Sequence, residues 1–133
     1  MPPILHLSLP VRDLASSKAF YVGVLGCELG RERDGYIDVW FYGMQLTLHE
    51  RPGQLLSAGE RGVRHFGVTL GTAELHALLE RLASRPLDWL DTVTTDHAGT
   101  PREQTKAKLL DPSGNVIELK AYVDPSAALE RTI

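Results

Sequence analysis

The feature that most constrains this chain is an internal duplication marked by two histidines. His6 opens the run His6-Leu7-Ser8-Leu9, and His65 opens His65-Phe66-Gly67-Val68-Thr69-Leu70. In each run polar or small residues share the histidine's face and apolar residues take the other, the period of a half-buried strand. Seven residues beyond each histidine stands a helix-cap residue, Asp13 or Thr72, followed by an apolar-periodic stretch. Each half closes on a matching strand, Gln45-Leu46-Thr47-Leu48 or Glu118-Leu119-Lys120-Ala121. If the halves pack as a pseudo-symmetric pair, His6, His65 and Glu118 converge on one cavity. Two histidines and a carboxylate are what a divalent transition metal needs.

The first half reads βαβββ. A strand over about residues 3–10 precedes a helix capped by Asp13, with Leu14, Tyr21, Val24 and Leu25 in its apolar stripe and Gly26 as its left-handed stop. Strands near 27–33, 36–42 and 44–50 follow, turned by Asp34-Gly35 and Gly43. Residues 51–62 carry turn signals and little periodicity, so they form the linker. The second half repeats the order. Leu75, Leu78, Leu79 and Leu82 define an amphipathic helix that ends before Pro86. Strands near 87–95, 103–110 and 115–122 follow, with Asp111-Pro112-Ser113-Gly114-Asn115 as the last turn. The loop over 96–102 is longer than its counterpart, where a substrate lid is expected. The chain is thus expected to be one domain, with module one at about 3–50, module two at about 63–123 and a tail over 124–133 that is either a helical turn or frayed.

Composition removes several function classes. The 133 residues are 43% hydrophobic, ordinary for a globular domain, and no apolar run approaches the roughly 18 residues of a spanning helix. The N-terminus lacks a basic start and an apolar signal core, so a cytoplasmic address is expected. A formal charge of −3 without a basic block leaves no electrostatic footprint for nucleic acid. The expected partner is a small-molecule substrate. Cys27 stands alone, which excludes a disulfide framework and a thiolate zinc site and suits a small buried filler after Gly26.

Equivalence gives the histidines their weight. Each lies on a face otherwise made of small side chains, Ser8 in one half and Gly67 and Thr69 in the other, which leaves room for a ligand. Gln45 occupies the position equivalent to Glu118. It cannot act as a general base and suits a supporting hydrogen bond or a contact with substrate. His49 shares its face further along the strand, at the rim. Lys120 and Tyr122 share the face of Glu118 and can reach a bound substrate. His97, in the long loop, is either a proton shuttle or a surface residue. Tyr122, His49 and His97 are the available proton movers.

On these residues the chain resembles the vicinal oxygen chelate superfamily of glyoxalases, bleomycin-binding proteins, fosfomycin-resistance enzymes and extradiol dioxygenases. The resemblance spans about residues 4–123. It is carried by His6 with Pro10-Val11-Arg12-Asp13-Leu14, by Phe20-Tyr21 with Leu25-Gly26, by Arg64-His65-Phe66-Gly67-Val68, and by the stretch from Leu110 to Lys120. It implies an α+β fold in which two βαβββ modules form a cupped eight-stranded mixed sheet around a metal held by His6, His65 and Glu118. Within the superfamily, Gly99-Thr100-Pro101-Arg102-Glu103-Gln104 running into the Asp-Pro-Ser-Gly-Asn turn looks most like small predicted extradiol-type dioxygenases. Three ligands on one face of a six-coordinate ion favour iron(II), with zinc, manganese or nickel as alternatives. The resemblance and an open sheet edge point to a homodimer. Two rival readings remain: a glyoxalase-like lyase or isomerase using the metal as Lewis acid, and a drug-binding protein without chemistry.

Overall fold

The computed structural model describes residues 1–130. The last part of the expected tail, 131–133, lies outside the described residues. The chain divides into two compact units, residues 1–63 with 111–115, and residues 64–110 with those from 116 onward.

Unit one begins with β1 (His6–Val11) and α1 (Leu14–Lys18), which continues as a wider π-helical turn over Ala19–Val24. The Asp13 carboxylate accepts from the Ser16 amide at 2.7 Å, the cap its position called for. Gly26, at φ 79°, supplies the left-handed residue that ends the helix. β2 (Glu28–Arg33), β3 (Tyr36–Phe41) and β4 (Met44–Glu50) complete a sheet of order β1-β4-β3-β2. The β1–β4 pair is parallel and the others antiparallel. Phe20, Tyr21, Leu25, Ile37, Val39, Leu46 and Leu48 are all buried and form the core.

The linker is more ordered than its composition suggested. It holds a 3-10 turn over Pro52–Gln54 and a helix, α2 (Ala58–Arg61), closed by a capping box in which Ser57 and Glu60 satisfy one another's backbone amides. Ser57-x-x-Glu60 was the available signal. The 111–115 turn also belongs to this unit. The Tyr21 hydroxyl donates to Asp111 at 2.8 Å, the Arg12 amide to the Ser113 hydroxyl at 2.8 Å, and the Asn115 amide group to the Pro10 carbonyl at 3.1 Å.

Unit two repeats the order with β5 (Phe66–Leu70), α3 (Thr72–Ala83), β6 (Asp88–Asp96), β7 (Gln104–Leu110) and β8 (Val116–Tyr122). Its sheet runs β5-β8-β7-β6, with β5–β8 parallel. Leu75, Leu78 and Leu82 are the buried stripe of α3. Thr72 is not the cap. Gly71 takes that place with extended backbone, and Thr72 becomes the first helical residue, its hydroxyl directed at the Tyr122 carbonyl 3.5 Å away. After β8 a short 3-10 turn, Pro125–Ala128, is capped by Asp124. The eight strands therefore form two four-stranded mixed sheets of identical order, an α+β fold of two equivalent modules. Among the described residues, no helix is long and apolar enough to cross a membrane.

Candidate metal centre

In unit two, the parallel β5–β8 pair places Gly67 beside Glu118 and Thr69 beside Lys120. A Cβ at Gly67 would overlap the Glu118 carbonyl, so only glycine lets the two backbones approach this closely. His65 stands one residue ahead of β5. Its Nε2 lies 3.9 Å from Oε1 of Glu118, a carboxylate that is only 14% exposed. Two donors each about 2.1 Å from one ion stand roughly 3 to 4.2 Å apart, so this pair fits a shared cation. The pair opens on a hollow of about 240 Å³ lined also by Thr69 and Lys120. The Lys120 ammonium lies 3.7 Å from Glu118 and 5.7 Å from the centre of the Tyr122 ring.

Unit one carries the corresponding parallel strand pair, with His6 beside Gln45, Ser8 beside Thr47 and Pro10 beside His49. Its register differs from that of unit two, where Glu118 lies beside Gly67, two residues beyond His65, so Gln45 and Glu118 do not stand at equivalent places relative to the two histidines as the sequence pattern led one to expect. His6 is exposed, and its Nδ1 faces the Gln45 carbonyl oxygen at 3.1 Å. A carbonyl only accepts, so in the neutral ring Nδ1 carries the proton and Nε2 the lone pair, the tautomer a metal ligand requires. In that form the Ser8 hydroxyl, 3.3 Å from Nε2, is the donor to the lone pair. His49 stacks at a tilt on Tyr36, with ring centres 5.7 Å apart, and helps line a separate hollow of about 280 Å³. His97 is exposed in the loop that the structure places over 97–103, with φ 55°.

One residue of this face escaped the sequence reading. Asp38 is 3% exposed in the middle of β3. Its carboxylate accepts from the Thr47 hydroxyl at 2.6 Å, from Arg31 Nε at 3.0 Å and from Gln45 Nε2 at 3.4 Å. Burial by itself would raise its pKa. The bonds from Thr47, Arg31 and Gln45, with the Arg31 charge, outweigh that and hold it below the ordinary aspartate range. An ionised carboxylate only accepts, so the Gln45 amide must turn its nitrogen inward and leave its oxygen as the outward atom. The signal was an acid between apolar neighbours in Ile37-Asp38-Val39, which marks a buried, partnered carboxylate.

Among the described residues, no group of three or more His, Cys, Asp or Glu side chains is gathered as a metal centre would be. Unit two assembles the pair His65 and Glu118, and His6 belongs to unit one.

A family model, the Glyoxalase/Bleomycin resistance protein/Dioxygenase superfamily, matches residues 3–119. A protein from Alicyclobacillus acidocaldarius described as a glyoxalase/bleomycin resistance protein/dioxygenase is similar in structure, with 30% identity, a TM-score of 0.83 and coverage of 94% of this chain and 95% of that one. The fosfomycin resistance protein FosX from Listeria monocytogenes shares the fold at 16% identity and a TM-score of 0.73, over 91% of this chain and 93% of its own. A lactoylglutathione lyase from Agrobacterium tumefaciens does so at 18% identity and a TM-score of 0.64, over 91% and 96%. Among curated proteins, no sequence match was found. With the family match spanning nearly the whole chain and both modules built in the same order, this protein belongs to the glyoxalase/bleomycin resistance/dioxygenase superfamily.

Proposed function

We propose that the chain is a divalent-metal-dependent oxidoreductase of the dioxygenase type, acting on a small substrate with two neighbouring oxygens. His6, His65 and Glu118 are its metal ligands and iron(II) its ion. The observation that carries this reading is the 3.9 Å approach of His65 Nε2 to Glu118 Oε1 beside a substrate-sized hollow. When bound, the metal supplies Lewis acidity and coordination positions for the two substrate oxygens. The protein's own residues do the rest. His6 offers Nε2 because the Gln45 carbonyl holds the proton on Nδ1. Lys120 orients the substrate, and Tyr122, through its hydroxyl, moves the proton. Gln45 in place of a carboxylate supports this chemistry over a glyoxalase-type isomerisation, because an amide held by Asp38 cannot take up a proton as a base. A homodimer in the cytoplasm completes the reading, the address supported by a single buried cysteine.

The test is oxygen uptake by iron(II)-loaded protein presented with a catechol-like compound, together with metal content. His65→Ala is expected to keep its circular dichroism and lose stoichiometric metal. Full metal occupancy in that variant, or anaerobic turnover of a hemithioacetal without oxygen uptake, overturns the assignment.

A further inference from the structure

Asp38 is buried at the centre of the first sheet, and its two oxygens order three neighbours. Oδ1 accepts from the Thr47 hydroxyl, while Oδ2 accepts from both Arg31 Nε at 3.0 Å and Gln45 Nε2 at 3.4 Å. Sharing one oxygen sets the guanidinium and the carboxamide side by side. Arg31 is 59% exposed although its Nε is anchored, so the fork of terminal N–H groups is held toward solvent as a fixed donor. Gln45 has the opposite character, because Asp38 takes its nitrogen and leaves its oxygen as an acceptor. Among the described residues, neither the terminal nitrogens of Arg31 nor the side-chain oxygen of Gln45 has a hydrogen-bond partner. Trp40 stands directly opposite Gln45 on the same face and adds an aromatic surface. A Cβ at Gly30 would lie 3.2 Å from the Asp38 Cβ and 3.5 Å from the Trp40 indole nitrogen, so the glycine keeps this part of the face open. The Arg31 charge is already matched by Asp38, and the group that fits here is therefore neutral.

We propose that Arg31 and Gln45, oriented together by Asp38, bind a neutral aryl carboxamide. Its carbonyl accepts from the Arg31 guanidinium, its N–H donates to Oε1 of Gln45, and its ring lies against Trp40. Asp38 touches no ligand atom and is a positioning residue, one that fixes a donor and an acceptor before the ligand arrives. Every group named belongs to unit one, so the site goes beyond the metal reading and needs no ion.

The test is a titration of the full chain with benzamide in the presence of a chelator, followed through the ¹⁵N and ¹H resonances of Arg31 Nε, Gln45 Nε2 and Trp40 Nε1. Benzamide is expected to shift all three along one saturable curve. Methyl benzoate keeps the ring and the carbonyl but lacks the N–H, and is expected to bind about tenfold more weakly, the loss of one hydrogen bond. Arg31→Met is expected to weaken benzamide by about tenfold, and Gln45→Met to abolish the preference for amide over ester. Asp38→Asn with a native circular dichroism spectrum is expected to bring the amide-to-ester ratio close to one, because an asparagine no longer dictates which end of Gln45 faces outward. An aspartate that serves only the fold would leave that ratio unchanged, which overturns its positioning role. Equal binding of amide and ester by the wild type, full benzamide affinity in Arg31→Met, or no saturable shift at all overturns the site itself.

Discussion

At the scale of single residues, polar contacts along the first sheet fix lone pairs. The Gln45 carbonyl sets the His6 tautomer, and Asp38 sets the orientation of the Gln45 side chain. Asp38→Asn tests the second link, since an asparagine can face Gln45 with either an oxygen or a nitrogen. The variant is expected to shift the Gln45 side-chain amide resonance in an ¹⁵N spectrum of the metal-free protein. It is also expected to lower unfolding stability by about 1–3 kcal/mol in urea, through the charge-assisted bonds lost to Thr47 and Arg31. An unmoved resonance would show that the carboxylate does not set the amide. The histidines drew attention in the sequence because each stood at the same offset in a repeated pattern, although in the structure His6 opens β1 and His65 lies one residue ahead of β5. Asp38 had no such counterpart in the second module, and its role depends on partners 7 and 9 residues away that only the strand register brings together.

At the scale of elements, alternation and turn residues placed all eight strands, because a sheet with one apolar face writes its period directly into the chain. What escaped was local: the Gly71 cap and the α2 capping box depend on backbone angles and on short polar contacts, not on periodicity. The β5–β8 pair shows how strictly an element can constrain one position. Gly67→Ala must push β5 away from Glu118, at a cost of about 1–3 kcal/mol by the usual penalty for overpacking. Gly23→Ala, where added bulk meets nothing within 4 Å, is the control and is expected to leave stability unchanged or slightly higher. Urea midpoints of the two variants check the contrast. Equal midpoints would mean that the close strand approach carries no energetic weight.

At the scale of the whole molecule, one pattern of strands and helix is used twice, and the duplication made the fold class readable from 133 residues. It could not reveal that the 111–115 turn, which the chain reaches only through β7, is counted with unit one. Tyr21, fully buried, and its bond to Asp111 are part of that attachment. Burial first, then the Asp111 charge and hydrogen bond, raises the Tyr21 hydroxyl well above the ordinary tyrosine pKa. In the unfolded chain it ionises near the usual value of about 10, so its contribution to stability is complete below that pH and is lost as pH rises beyond it. Alkaline titration followed by tyrosinate absorbance is expected to show Tyr21 ionising only together with unfolding. Its ionisation in the folded protein would refute the buried bond.

The same attachment has a consequence for synthesis on the ribosome. A nascent chain that has emerged only through residue 63 holds every strand of the first sheet, yet lacks the acceptor for the Tyr21 hydroxyl and the donor for the Pro10 carbonyl. That half is therefore finished late, after β5, α3, β6 and β7 of the other half have been translated and only β8 and the tail remain, and the order of manufacture is not the order of completion.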